Sequence, residues 1–322
     1  MGLYDELCCS VRYAASAGIC GFLHPADALL AEEQQTGCHV VSVTTASGTI
    51  QTVYREIRED GRLVNRRVEQ YPVSTPEHLR VVTDLVERTQ YRADEEQFTD
   101  AASRMGHRGE PTIFLNSSGF TELIKEHCGL ARTFYLLTDH PSAVEEYLEA
   151  CDRRDSRQID AALQLPCRIF NLGDHATNEF TPPAILKRYM LPRWQWISER
   201  LHRAGRFVHS HWDGNAKAIL PYLAETGLDS VEALTPKPQG DITLEEIKAA
   251  VGESIVCLDL LLAIAFLPNY PLADLLDFAR RAIDTFAPHL ILGVSDEISQ
   301  IGEIERVETI SELVDDICGL AS

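Results

Sequence analysis

From about residue 110 the chain alternates between two hydrophobic periods. Short runs of strand length, PTIFLN (111–116), RIFNLG (168–173), RFVHSHWDG (206–214), DSVEAL (229–234), SIVCLDL (254–260) and HLILGVS (289–295), are each followed by a longer stretch with helical patterning. A period of two belongs to strands and one of 3.6 to helices. Repeated strand–helix units predict a parallel sheet, either a closed (β/α)8 barrel or an open doubly wound sheet. No GxGxxG follows any of these strands, which takes support from a dinucleotide-binding open sheet. The chain length suits a barrel with an extension, so the expected fold class is α/β, a (β/α)8 TIM barrel. The stretch 181–205 reads as a helix with Thr181 as N-cap, Pro182 in the first turn, Pro192 as a kink or split and Gly205 as the stop. NAKAILPYLAETG (215–227) also reads as helical, and 141–164 as a solvated amphipathic helix.

Earlier residues follow another pattern. The segment 38–73 alternates in strand fashion, with turns at Ser47-Gly48 and Asp60-Gly61. We expect a small N-terminal antiparallel β extension over about 1–75 and a barrel over 76–322, together one domain covering 1–322.

Composition narrows the function classes. The formal net charge is −20 over 322 residues, 45% of them hydrophobic. Nothing basic is concentrated enough to follow a phosphate backbone, which argues against nucleic acid. The longest apolar run, LLLAIAFL (260–267), is too short to span a bilayer. MGLYDELCC lacks the basic start of a signal peptide, and Glu6 stands where a myristoylation motif wants Ser or Thr. Nine scattered cysteines form no CxxC pair. The expectation is a cytoplasmic protein with reduced thiols and no membrane partner.

A barrel carries its chemistry at the C-terminal ends of its strands. Those ends hold Asp174, His175 and Glu179, then His209, His211 and Asp213, then Glu232, Asp259, Asp296 and Glu297. In HSHWDGN (209–215) strand alternation puts Phe207, His209, His211 and Asp213 on one face, and Val208 and Trp212 on the helix-facing side. Imidazole nitrogen with carboxylate oxygen is a workable ligand set for a divalent first-row metal. The alternative is that the histidines only hydrogen-bond neighbouring strand ends. Trp194 and Trp196, two apart on a helix, cannot share a face.

HWDGN, the run from AILPYLAETGLDSVEALTPKPQG to VCLDL, and LILGVSDEIS with IERV resemble the uroporphyrinogen decarboxylase superfamily, and more closely its corrinoid-dependent methyltransferase branch. NLGDHATNEFTPPAILKRYMLPRW and YPVSTPEHL fit the same pattern, so the resemblance covers most of the chain from about residue 70. It implies a (β/α)8 barrel. Thiol-methylating members of that branch hold zinc with a His-x-Cys pair and a later Cys. His211 matches the histidine, Asp213 stands at the first cysteine position, and Asp296 at the second, with Ser295 or Glu297 one slip away. The resemblance therefore implies His211, Asp213 and Asp296 as ligands of a divalent metal, zinc first among them, with both thiolates replaced by carboxylates. Harder ligands leave a metal more electron-poor and suited to polarising an ether oxygen.

The expected activity is demethylation of a small methoxylated or methylated substrate, with transfer of the methyl group to a corrinoid on a carrier protein. His209 and Glu232 are the acid–base candidates, Glu232 also as a partner orienting His211. Asp174, His175 and Glu179 are substrate-contact candidates. A thiol methyltransferase, a decarboxylase-like lyase and a non-catalytic small-molecule-binding barrel are the alternatives. The decarboxylases themselves bind a polycarboxylate through an arginine-bearing N-terminal segment, where this chain has only Arg12. Homodimers are common in this fold family.

Overall fold

The computed structural model describes Cys9, residues 18–24 and residues 26–319. Arg12 lies outside them. The chain forms two compact units. One comprises 19–93 and 117–164, and the other comprises 1–18, 94–116 and 165–322.

The first unit contains a four-stranded antiparallel meander of β2 (Leu29–Gln35), β3 (Cys38–Thr45), β4 (Gly48–Glu59) and β5 (Arg62–Gln70), and a small ribbon of β1 (Ile19–Phe22) with β6 (Gln90–Ala93). The turn at Asp60-Gly61 is as expected, while the first falls one residue before its expected place, on Ala46-Ser47, with Gly48 opening β4 opposite Thr45. Asp60 and Gly61 each take a positive φ, 49° and 79°, the backbone that a two-residue hairpin turn needs to match strand twist. Strand β2 is exposed throughout, and its LLAEEQQ sequence gives no alternation to read. Helix Pro76–Arg88 buries Leu79, Val82 and Val86 on one stripe, and Thr75 caps its start.

Helix Pro141–Ala162 corrects an expectation. It is not a solvated helix, because Arg154, Asp155 and Gln158 are buried along with Tyr147, Cys151 and Ile159. Arg154 grips Glu122 through two bonds of 2.7 and 2.8 Å and reaches Asp155 at 2.9 Å. Burying a guanidinium is tolerable only with such pairing.

His127, in the same unit, packs edge-on against Tyr147 at 5.7 Å between ring centroids. Its Nε2 is buried without a partner among the described residues. Burial, with the nearby Arg154 charge adding to it, pulls its pKa from 6.5 down to about 4. The folded protein therefore keeps this imidazole neutral while the unfolded chain takes up a proton below its ordinary pKa. Stability from this group is complete above pH 6.5 and drains away as pH falls toward 4. His127→Gln should flatten that part of the acid denaturation curve by roughly 3 kcal/mol relative to the parent, measured by urea unfolding at several pH values. Identical pH slopes would disprove the assignment.

The second unit carries the parallel sheet. Its strands are β7 (Thr112–Phe114), β8 (Ile169–His175), β9 (Phe207–His211), β10 (Ser230–Glu232), β11 (Val256–Leu261) and β12 (Leu290–Val294). Each pairs in parallel with the next in sequence order. The α/β alternation expected from the sequence is present. Among the described residues the sheet has six strands with β7 and β12 at its edges, and the closure of an eight-stranded barrel is not seen.

Three local expectations change. Thr181 does not cap a helix; it bonds back to Thr177. The stretch after it passes through a π-helical turn, Leu186–Met190, before helix Leu191–Arg203, so the split falls just ahead of Pro192. The 215–227 segment forms only a 3-10 helix, Leu220–Glu225, with Pro221 in its first turn where a missing N–H costs nothing. Elsewhere the signals hold. Thr243 and Glu246 form a reciprocal capping box at the start of Leu244–Val251, and helices Leu272–Phe286 and Glu305–Cys318 pack on β11 and β12 through Leu275, Ala279 and Leu313. No described helix is long and apolar enough to cross a membrane.

Candidate metal centre and its cavity

Strand register builds the site. His175 on β8 lies beside His211 on β9, and His211 lies beside Glu232 on β10. One row deeper, Asn171 lies beside His209, and His209 beside Ser230. Strand β8 spends four residues where β9 spends two between these rows. The bulge centres on Gly173, whose φ of 70° excludes most side chains, and Asn171 Oδ1 accepts the Gly173 N–H at 2.7 Å. Without that bulge His175 would not reach His211.

The phase expected for β9 is observed. Val208 and Trp212 are fully buried, and Trp212 packs against Trp194 of helix Leu191–Arg203 at 5.8 Å. Trp196 instead lies under Arg200. His211 and Asp213 face a cavity of about 780 Å³ at the C-terminal ends of the strands.

His175, His211 and Asp213 come together so that one ligand atom of each lies within 4.8 Å of the others. Asp213 Oδ2 is 3.6 Å from His211 Nε2 and 3.9 Å from His175 Nδ1. These distances are long for hydrogen bonds. They are close to the roughly 3.4 Å at which donors stand around one tetrahedral zinc. Asp213 Oδ1 is buried without a hydrogen-bond partner. The other face of His211 is fixed: Nδ1 lies 2.9 Å from Glu232 Oε1. That contact holds a proton on Nδ1 facing the glutamate and turns Nε2 toward the cavity, the arrangement of a metal-binding histidine with its orienting carboxylate. The residues present therefore fit a small divalent cation.

The electrostatics agree. Burial alone would lower the His211 pKa, but the Asp213 and Glu232 carboxylates outweigh it and push it up to about 9. Burial would raise that of Asp213, yet the facing His175 and His211 imidazoles hold it well below the usual carboxylate range. The cluster is organised to keep a positive charge between its members.

The remaining candidates fall in distinct places. Glu232 is buried, and its Oε2 is 3.2 Å from His209 Nδ1. Asn171, which sequence reading passed over because an amide does not titrate, donates to Glu232 Oε1 at 3.0 Å. His209 is 1% exposed and does not line the cavity, so it supports Glu232 from beneath. Asp174 is fully buried, and its Oδ2 accepts from Trp194 Nε1 at 2.8 Å and Arg193 Nη1 at 3.2 Å. It pins the helix to the strand end. Glu179 accepts from Asn215 at 2.7 Å and is not among the cavity-lining residues. Asp296 and Glu297 line the cavity, but Asp296 is not part of the three-residue cluster; its Oδ1 accepts the Glu297 N–H. The structure thus gathers His211 and Asp213 with His175, where sequence reading had joined them to Asp296.

Neither a protein-family model nor a curated protein matches this chain in sequence. Among solved structures, a methyltransferase from Methanosarcina mazei matches over 79% of this chain and 73% of its own, with a TM-score of 0.55 and 13% identity. The chain shares the fold of this methyltransferase. At that identity the Methanosarcina methyltransferase speaks for the fold alone, and the fold agrees with the resemblance drawn from sequence. A B12-independent methionine synthase from Shewanella sp. W3-18-1 matches at a TM-score of 0.38 and 8% identity, over 83% of this chain and 76% of that one, which is too slight to argue from.

Proposed function

We propose that this protein is a metal-dependent methyltransferase that demethylates a small methoxylated or methylated compound and delivers the methyl group to a Co(I) corrinoid on a carrier protein. The observation that carries the reading is the His175/His211/Asp213 cluster, backed by Glu232 and open to a cavity at the strand ends. The fold shared with a methyltransferase supports it. A divalent ion held there would supply a Lewis acid toward a substrate oxygen. Glu232 holds the His211 proton on Nδ1 and so fixes the ring's orientation. His209 and Asn171 hold the Glu232 carboxylate in turn. Trp212 and Trp194 pack together on the helix-facing side of β9 and fix the strand that carries His211.

The donor set of two imidazoles and a carboxylate is harder than a thiolate set. It favours an oxygen leaving group over activation of a thiol acceptor. The test is direct: mix the protein, loaded in turn with Zn²⁺, Fe²⁺ or Mn²⁺, with reduced corrinoid carrier and a panel of methylated compounds, and follow Co(I) absorption. Loss of that absorption with one compound, abolished by Asp213→Ala, is the expected result. No loss across the panel, together with a metal content near zero after every loading, would favour a non-catalytic binding protein.

A further inference from the structure

The half of the cavity away from the cluster has its own character. It is formed by the ends of β11 and β12, with Asp259, Ser295, Asp296 and Glu297 on its wall. With Asp174, Asp213 and Glu232 elsewhere on the wall, the cavity has several carboxylates and no Lys or Arg among its described lining residues. Asp174, Asp213 and Glu232 face Arg193, His175, His211 and His209. Among the described residues no cationic side chain forms an ion pair with Asp296 or Glu297.

Two features indicate that this end is built to meet a ligand. Ser295 is 1% exposed and lines the cavity, yet its Oγ has no hydrogen-bond partner. A buried hydroxyl left in this state costs free energy unless something in the cavity completes it. Asp259 is held in place at a cost as well. It and Leu260 adopt φ values of 81° and 77°, unfavourable for residues with a Cβ. Its carboxylate rests where a side chain at residue 293 would be, since a Cβ on Gly293 would stand 2.6 Å from Asp259 Oδ1. Gly293 thus makes the space that this carboxylate occupies.

Resting on the methyl-transfer reading of the same site, we infer that the substrate carries a cationic nitrogen, an alkylated ammonium group, which the Asp259, Asp296 and Glu297 end of the cavity receives while Ser295 Oγ bonds a neighbouring polar atom. Strands β9 and β11 are two strand spacings apart, about 10 Å. The cation and the metal cluster therefore occupy separate ends of the cavity. A carboxylate on the substrate would meet repulsion at this end of the cavity.

The discriminating probes are choline and its neutral isostere 3,3-dimethylbutan-1-ol, titrated calorimetrically into the full chain with and without added Zn²⁺. Choline is expected to bind about tenfold more tightly or better, a preference reduced by salt. Glu297→Gln, an exposed change, and Asp259→Asn should each shrink that preference several-fold while metal content stays as in the parent. Gly293→Ala should act like Asp259→Asn by displacing its carboxylate. Equal or weaker binding of choline by the parent protein overturns the inference whatever the variants do. The two readings fail separately. Demethylation of neutral ethers without any cation preference removes this inference and leaves the activity. A clear cation preference with no methyl transfer to cobalt removes the activity and leaves a cation-binding cavity.

Discussion

Glu232→Gln is expected to weaken divalent-metal binding by about 10- to 100-fold, and His211→Ala to eliminate it. Glu232 lines the cavity but is not one of the three clustered donors. Its expected effect acts through His211, whose Nδ1 lies 2.9 Å from Oε1. The glutamate pins the proton on Nδ1, orients the ring and makes Nε2 a better donor. A glutamine keeps the shape but carries no charge, and its amide competes with Asn171 and His209 for the same contacts. Equilibrium dialysis against Zn²⁺ separates the cases, with circular dichroism confirming that the variants are folded. Parent-like affinity in Glu232→Gln would mean that the orienting bond does not matter. Retained stoichiometric metal in His211→Ala would remove the cluster from consideration.

The second large effect lies away from the site. Arg154→Met should lower stability by about 3–5 kcal/mol, the scale of breaking a buried pair from one side. The guanidinium holds Glu122 at both oxygens and Asp155 at 2.9 Å, and Tyr147 Oη adds a bond to Glu122 at 3.2 Å. Removing the cation leaves two carboxylates facing one another in an apolar core. Adding Glu122→Gln and Asp155→Asn to the same chain should recover much of the loss, because the uncompensated charges go too. Chemical denaturation midpoints test both statements. A loss below 1 kcal/mol (roughly the value of an exposed pair) would show that water reaches the cluster.

These two regions also mark what the sequence could and could not reveal. The strands of the parallel sheet were legible because each apolar run is followed by a helical pattern and punctuated by Gly or Pro. The inward phase of His211 and Asp213 was legible because Val208 and Trp212 are unmistakably core. His175 was found as a strand-end residue, but its place beside His211 depends on a bulge around Gly173 that period-two counting cannot see. Asp174 reads as a strand-end residue in sequence and does line the cavity, but its bonds to Arg193 and Trp194, 19 and 20 positions later, leave no trace there. Arg154 and Asp155 read as a solvated face because composition carries no record of the partner, Glu122, that lies 32 positions earlier. The exposed strand β2 escaped notice for the opposite reason: nothing in it is buried, so nothing in it alternates.

The division of the chain into two interleaved units bears on how the protein is made. Residues 117–164 belong with the N-terminal sheet although parallel strands flank them on both sides. Every residue of that first unit has therefore been synthesised by position 164, when β7 is the single strand of the parallel sheet yet made and β8 to β12 are still to come. The His175/His211/Asp213 cluster, which lies wholly between 175 and 213, is a late product of synthesis. A nascent chain extended far enough beyond residue 164 to bring that residue out of the exit tunnel would have the whole of the first unit free to fold before most of the parallel sheet exists.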